Sequence, residues 1–113
     1  MRTIADFKRR LTKGAKIHTM YHQASAGRDE QGQIILKDED RGIRTVNIIQ
    51  SNSFTLLTED RNNPGKVIDS WMNYPRKDEA IFLNDDSIQI LTPDFRERNS
   101  TKLIPCVTYT FIH

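Results

Sequence analysis

Ile43-Arg44-Thr45-Val46-Asn47-Ile48-Ile49-Gln50-Ser51-Asn52-Ser53-Phe54-Thr55-Leu56-Leu57-Thr58 is the stretch that decides the fold. Read as extended chain, it places Arg44, Val46, Ile48 and Gln50 on one face and Ile43, Thr45, Asn47 and Ile49 on the other. Ser51-Asn52-Ser53 supplies a turn, after which Phe54, Leu56 and Thr58 alternate with Thr55 and Leu57. β-branched and aromatic residues at period two around a polar turn predict a β-hairpin.

The same period continues downstream. Glu59 to Lys66 reads as a hairpin loop, because Pro64 presets one dihedral and Gly65 accepts a positive one. Val67 to Tyr74 reads as a strand, and Pro75 to Leu83 as a helical or 3₁₀ turn with Ala80, Ile81 and Phe82 facing inward. Ser87 to Leu91 is a short strand and Pro93 to Lys102 a polar excursion. In the last stretch, from Leu103 to His113, Val107, Tyr109 and Phe111 alternate with Thr108, Thr110 and Ile112. Upstream, Ala15 to His22 alternates as a strand, residues 23–32 read as a polar loop, Gln33 to Lys37 as a short strand, and Lys37 to Gly42 as a charged turn.

Before Gly14 the period is 3.6. Ile4, Phe7 and Leu11 form one apolar stripe, Thr3 with Asp6 resembles a capping box, Lys13 suits the last turn, and Gly14 suits the position past the end. The expectation is an α+β, mainly β chain: one domain, 1–113, with a helix over 3–13 and a β body over 15–113. The helix packs on a strongly bent antiparallel sheet, or on a small SH3-like barrel, of about six to seven strands. The last strand is expected to pair with an early one, closing the sheet and protecting an edge.

Composition narrows the function classes. The 113 residues hold 17 Lys and Arg against 15 Asp and Glu, a net +2 that is small for a dedicated nucleic-acid binder. No run approaches the ~20 apolar residues a bilayer requires, and the amino-terminal stretch lacks the apolar core of a secretory signal. A cytoplasmic location without membrane contact is the expectation. Cys106 is the sole cysteine, which excludes an internal disulfide and a cysteine-built zinc cage.

Catalytic and metal chemistry find little footing, and neither an enzyme activity nor a cofactor is expected. His18 and His22 are four apart, but on a strand that spans roughly 13 Å, too far for one ion. Cys106 shares its face with Thr108 and Thr110, and no adjacent base marks it as a nucleophile. No glycine-rich phosphate loop and no Ser–His–Asp order stand out.

Binding is the better-founded class. Trp71, Tyr74 and Phe95 sit among polar neighbours, Phe95 beside Arg96, and Trp, Tyr and Arg dominate binding hot spots. For Trp71 the competing and commoner reading is a core residue whose indole N–H meets a carbonyl. The acidic groups Asp38-Glu39-Asp40 and Asp85-Asp86, read as turns, are candidates to mimic phosphates toward a protein partner. Lys8, Arg9, Arg10, Lys13 and Lys16, with Arg76 and Lys77, are candidates to contact the phosphates of a nucleic acid.

Three segments carry a resemblance. Thr3–His18, Arg44–Thr58 and Ser70–Glu79 resemble a loose group of small, uncharacterised proteins of phages and other mobile elements, in which a short helix precedes a compact β fold. The resemblance covers under half of the chain and implies a biological setting and no activity; small single-domain proteins of mobile elements as a class often act by occluding a host machine, as anti-CRISPR proteins do. With the small size, the missing catalytic constellations and the long polar loops on a compact β body, the expected function is a non-catalytic binding protein that docks on a host protein or ribonucleoprotein complex and inhibits a host defence nuclease. The alternatives are a nucleic-acid-binding module using the basic amino-terminal helix, and a structural or oligomeric accessory whose open β edge pairs between copies.

Overall fold

The computed structural model describes residues 1–113, apart from the side chain of residue 24. One helix, α1 (Ile4–Arg10), precedes β1 (Lys16–Arg28), β2 (Ile34–Ile49), β3 (Ser53–Glu59), β4 (Val67–Asn73), β5 (Ala80–Phe82), β6 (Ser87–Pro93) and β7 (Leu103–Ile112). The seven strands form one antiparallel sheet in the order β4-β3-β2-β1-β7-β6-β5. The terminal strand does pair with β1, setting Ile17 against Phe111 and Tyr21 against Val107. It sits inside the sheet, however, and β4 and β5 remain unjoined at the two margins, so the sheet is open and the barrel alternative is not realised.

The helix begins as its sequence dictates. Thr3 Oγ1 accepts the Asp6 N–H at 3.1 Å, and the Asp6 carboxylate accepts the Thr3 N–H at 3.1 Å. It ends earlier than expected, at Arg10, and Gly14 then takes φ +91° and donates its N–H to Val46 O at 2.8 Å. That bond turns the chain straight into β1.

Phe7 organises the core. Its ring lies 6.0 Å from Phe54, 6.4 Å from Tyr74, 6.3 Å from Tyr109 and 6.0 Å from Phe111. Around it are buried Leu11, Ile17, Val46, Leu56, Ile88 and Val107. Edge-to-face and offset aromatic pairs at these separations add to the gain from burial. The helix covers one face of the sheet, hereafter the inner face; among the described residues no second helix packs on the other, the outer face.

Three readings are corrected. Residues 23–28 are strand, because β1 runs to Arg28 and only residues 29–33 turn, with Asp29 Oδ1 accepting the N–H groups of Gln31 and Gln33 at 2.9 Å each. Lys37 to Gly42 is also strand: Asp40 pairs with Met20 and Glu39 with Tyr21, so the two short elements expected around it are one β2. Past His22 the β1–β2 pair has no third strand alongside in its register with β7, so neither of its faces needs an apolar alternation. Finally, the helical turn is confined to Lys77–Glu79, and Ala80–Phe82 is β5, paired with β6, with Ala80 and Phe82 facing inward and Ile81 outward.

A bulge between Val46 and Ile49 also breaks the expected alternation of the hairpin. Val46 is buried, while Ile48 is exposed, and the Ile48 N–H leaves the ladder to donate to Thr55 Oγ1 at 2.9 Å.

Candidate functional site

The outer face collects several of the exposed apolar side chains. Pairing fixes its membership, since residues directly opposite across antiparallel strands share a face. Phe54 opposes Met72 and Leu56 opposes Ser70 on the helix side, so Thr55, Trp71, Asp69 and Val67 lie on the outer side. The same bookkeeping through His18↔Ile43, Lys16↔Ile112 and Ile81↔Gln89 puts Ile43, Ile112 and Ile81 there too. Val67 is 58% exposed, Trp71 52% and Ile43 61%. Trp71 is therefore not the core residue of the competing reading.

The polar groups under Trp71 are hydrogen-bonded to one another. Thr55, its cross-strand neighbour, is fully buried and donates its hydroxyl to Asp69 Oδ1 at 2.8 Å. Asn47 Nδ2 donates to the same oxygen at 2.8 Å, and the two bonds, Asn47 the stronger influence, hold the Asp69 carboxyl below its usual range.

Further along this face runs a chain of polar contacts that sequence spacing did not disclose. Asp38 Oδ1 lies 2.9 Å from His22 Nδ1, and His22 Nε2 lies 2.6 Å from Thr108 Oγ1. The order carboxylate–imidazole–hydroxyl is that of an activated nucleophile. Acyl transfer also needs aimed donors for an oxyanion and a pocket that excludes water. Here the three residues stand on a sheet surface, and they act as a tie across β2, β1 and β7. His18 Nε2 contacts Asp40 Oδ1 at 2.8 Å in the same manner, so the two histidines face different carboxylates. Among the described residues no three His, Cys, Asp or Glu converge on a metal position. Cys106 is half-buried, and desolvation pushes its thiol up, away from the reactive thiolate.

The remaining candidates do not gather at one place. Tyr74 packs against Phe7 and Phe54 on the inner face, with Lys8 Nζ 4.6 Å over its ring. Phe95 is 54% exposed in the loop between β6 and β7, bordering a cleft of about 430 Å³ shared with Arg28, Ile34, Arg96 and Glu97. Arg96 is spent within that loop: its Nε and Nη2 donate to the buried Asp94 carboxylate at 3.0 Å each. Asp38, Glu39 and Asp40 stand on β2 and engage His22, Arg41 and His18. Asp86, in the turn before β6, is held by Arg10 at 3.1 Å and His113 at 2.8 Å, whereas the Asp85 side chain is almost wholly exposed and meets only the amino-terminal ammonium, at 3.8 Å, among the described residues.

The basic cluster is likewise partitioned. Arg10 Nη1 donates to Asp85 O at 2.8 Å while its guanidinium lies 4.5 Å over the Phe111 ring. Lys8 Nζ also donates to Ser51 O at 3.4 Å, Arg9 pairs with Asp6, Lys16 Nζ donates to Thr45 Oγ1 at 2.6 Å, and Arg76 pairs with Glu79. Lys13 and Lys77 make no such contact among the described residues. No helix is long and apolar enough to cross a membrane. Compared with protein-family models, curated proteins and solved structures, the chain matches none.

Proposed function

We propose that the chain is a non-catalytic binding protein that docks on a partner protein through the outer face of its sheet. The observation that carries the reading is Trp71, half exposed on a strand whose outer neighbours Val67 and Asp69 are open or firmly held. A large aromatic on a pre-organised strand costs little entropy to bury, which is what makes tryptophan a binding anchor. The setting implied by the resemblance, a host protein or ribonucleoprotein complex met by a protein of a mobile element, says where the partner is to be sought. Inhibition of a defence nuclease is the finer form of the proposal.

Nucleic acid is the less supported partner. Most of the cations invoked for it hold carboxylates, hydroxyls, carbonyls or aromatic rings of the chain itself. A phosphate would have to displace those contacts. The acidic mimicry reading also weakens, since Asp38, Asp40 and Asp86 face internal cations or imidazoles.

The test is a tagged pull-down from host lysate with the unaltered chain and with Trp71→Ser. A partner retained by the first and lost by the second supports the docking face. Equal retention by both would remove Trp71 and the outer face from the reading.

A further inference from the structure

We propose that two copies of the chain pair antiparallel along β4, about a two-fold axis at Ser70, so that two seven-stranded sheets become one. β4 is outermost and borders β3 alone. Two hydrogen bonds at its ends show which backbone groups are already taken. Asp60 N–H donates to Lys66 O at 2.8 Å, and Tyr74 N–H donates to Asn52 O at 3.4 Å. In an antiparallel ladder, alternate residues send both N–H and C=O to the same neighbour. Lys66, Ile68, Ser70, Met72 and Tyr74 thus face β3. Val67, Asp69, Trp71 and Asn73 send their backbone groups outward, off the sheet.

These four residues are self-complementary in one register. A two-fold axis at Ser70 sets Val67 against Asn73 of the second copy, and Asp69 against Trp71 of the second copy. Every outward N–H and C=O then finds a partner. Moving the axis to Asp69 would oppose two carboxylates. Moving it to Trp71 would set Val67 against Pro75 of the second copy, which has no N–H to give.

Side chains agree with the backbone. At the seam Ile68 meets Met72 of the second copy on the inner side. On the outer side the two Trp71 rings become diagonal neighbours, roughly 7–8 Å apart at the backbone. Asp69, the one charge on the strand, is drawn back toward β2 and β3 by Asn47 and Thr55. β4 also lacks the usual guards of an edge: it contains no Pro and no Lys, and its register with β3 runs without a shift. The opposite margin, β5, is only three residues long. Dimerisation goes beyond the docking reading, to which it would contribute two tryptophans on one continuous face.

Sedimentation equilibrium of the unaltered chain over a concentration series is expected to show a reversible monomer–dimer equilibrium. Val67→Pro removes one outward N–H at the strand's first position and is expected to raise the dimer dissociation constant about tenfold. The register has its own test in a Cys106→Ser background. Ser70 and its symmetry mate form a non-hydrogen-bonded pair about 4.5 Å apart at Cα, within disulfide reach. Ser70→Cys should cross-link under mild oxidation, and Ile68→Cys, which faces Met72 of the second copy, should not. A monomer at every concentration overturns the proposal, and so does equal cross-linking of the two variants.

Discussion

Arg10 and Asp86 lie 76 positions apart in the chain and 3.1 Å apart in the fold. Through this pair, and through the Arg10 guanidinium over Phe111, the last turn of α1 is fastened to the turn before β6. Lys8 fastens the other side of the helix to the turn after β2, at Ser51 O. Arg10→Ala should lower stability by about 1 kcal/mol, since both partners are partly solvated and the ring contact is lost with the ion pair. Urea denaturation would show a lower midpoint with unchanged slope.

Phe7 should tolerate far less. It is fully buried and touches four other rings. Phe7→Ala is expected to cost about 3–5 kcal/mol, a large share of the roughly 5–15 kcal/mol typical of a domain. Loss of the near-ultraviolet aromatic circular dichroism would report it.

Thr19 carries the opposite prediction. It is fully buried opposite Tyr109, and its hydroxyl has no hydrogen-bond partner among the described residues. Such a group costs about 1–3 kcal/mol, so Thr19→Val, which keeps the shape and removes the hydroxyl, should raise the thermal midpoint. A lowered midpoint would mean the hydroxyl is satisfied in solution.

Acid should destabilise the protein through its held carboxylates. Asp6 is pulled from 3.8 to about 2, chiefly by the Arg2 N–H and then by Arg9. Asp40, Asp69, Asp86 and Asp94 are lowered as well, through Gly42 N–H, Asn47, His113 and Arg96 respectively. A carboxyl whose folded value lies below its unfolded one contributes stability above the unfolded value and loses it as pH falls through the folded one. Stability should therefore decline between about pH 4 and pH 2, and Asp6→Asn should make the decline shallower. A denaturant midpoint that does not move over that interval would contradict this.

Trp71→Ser should lower the unfolding free energy by only about 1–2 kcal/mol, because half of the residue already faces water. A large loss of stability would instead make Trp71 a structural residue.

What could be read from the sequence was local. The Thr3–Asp6 box, the hairpin turn around Asn52, the Pro64-Gly65 loop and the alternation of Val107, Tyr109 and Phe111 each need only a few neighbouring residues to be recognised. The long β1–β2 arm could not be read that way. Gln23 to Arg28 and Lys37 to Gly42 are polar and carry Gly and charge, so their strand character comes from distant partners: Ser25 pairs with Leu36 and Arg28 with Ile34, while Glu39 pairs with Tyr21 and Asp40 with Met20. β5 was hidden because Ala80-Ile81-Phe82 is too short for a period to declare itself.

The candidate site divided along the same line. Phe95 was legible as exposed from its polar surroundings. Trp71 was ambiguous, since strand alternation assigns a face without saying which face the helix covers; the pairing of Phe54 with Met72 settles that. The Asp38–His22–Thr108 tie joins three strands and has no signature in the spacing of its members.

The place of β7 between β1 and β6 bears on how the protein is made. The ribosome delivers the other six strands first, and until Leu103–Ile112 emerges β1 has no neighbour on one side and β6 lacks one of its two. A nascent polypeptide stalled before that point holds two separate fragments of sheet, each with a sticky flank. Losing those ten residues should therefore send the product to proteases or aggregates and leave no weakened native form to recover.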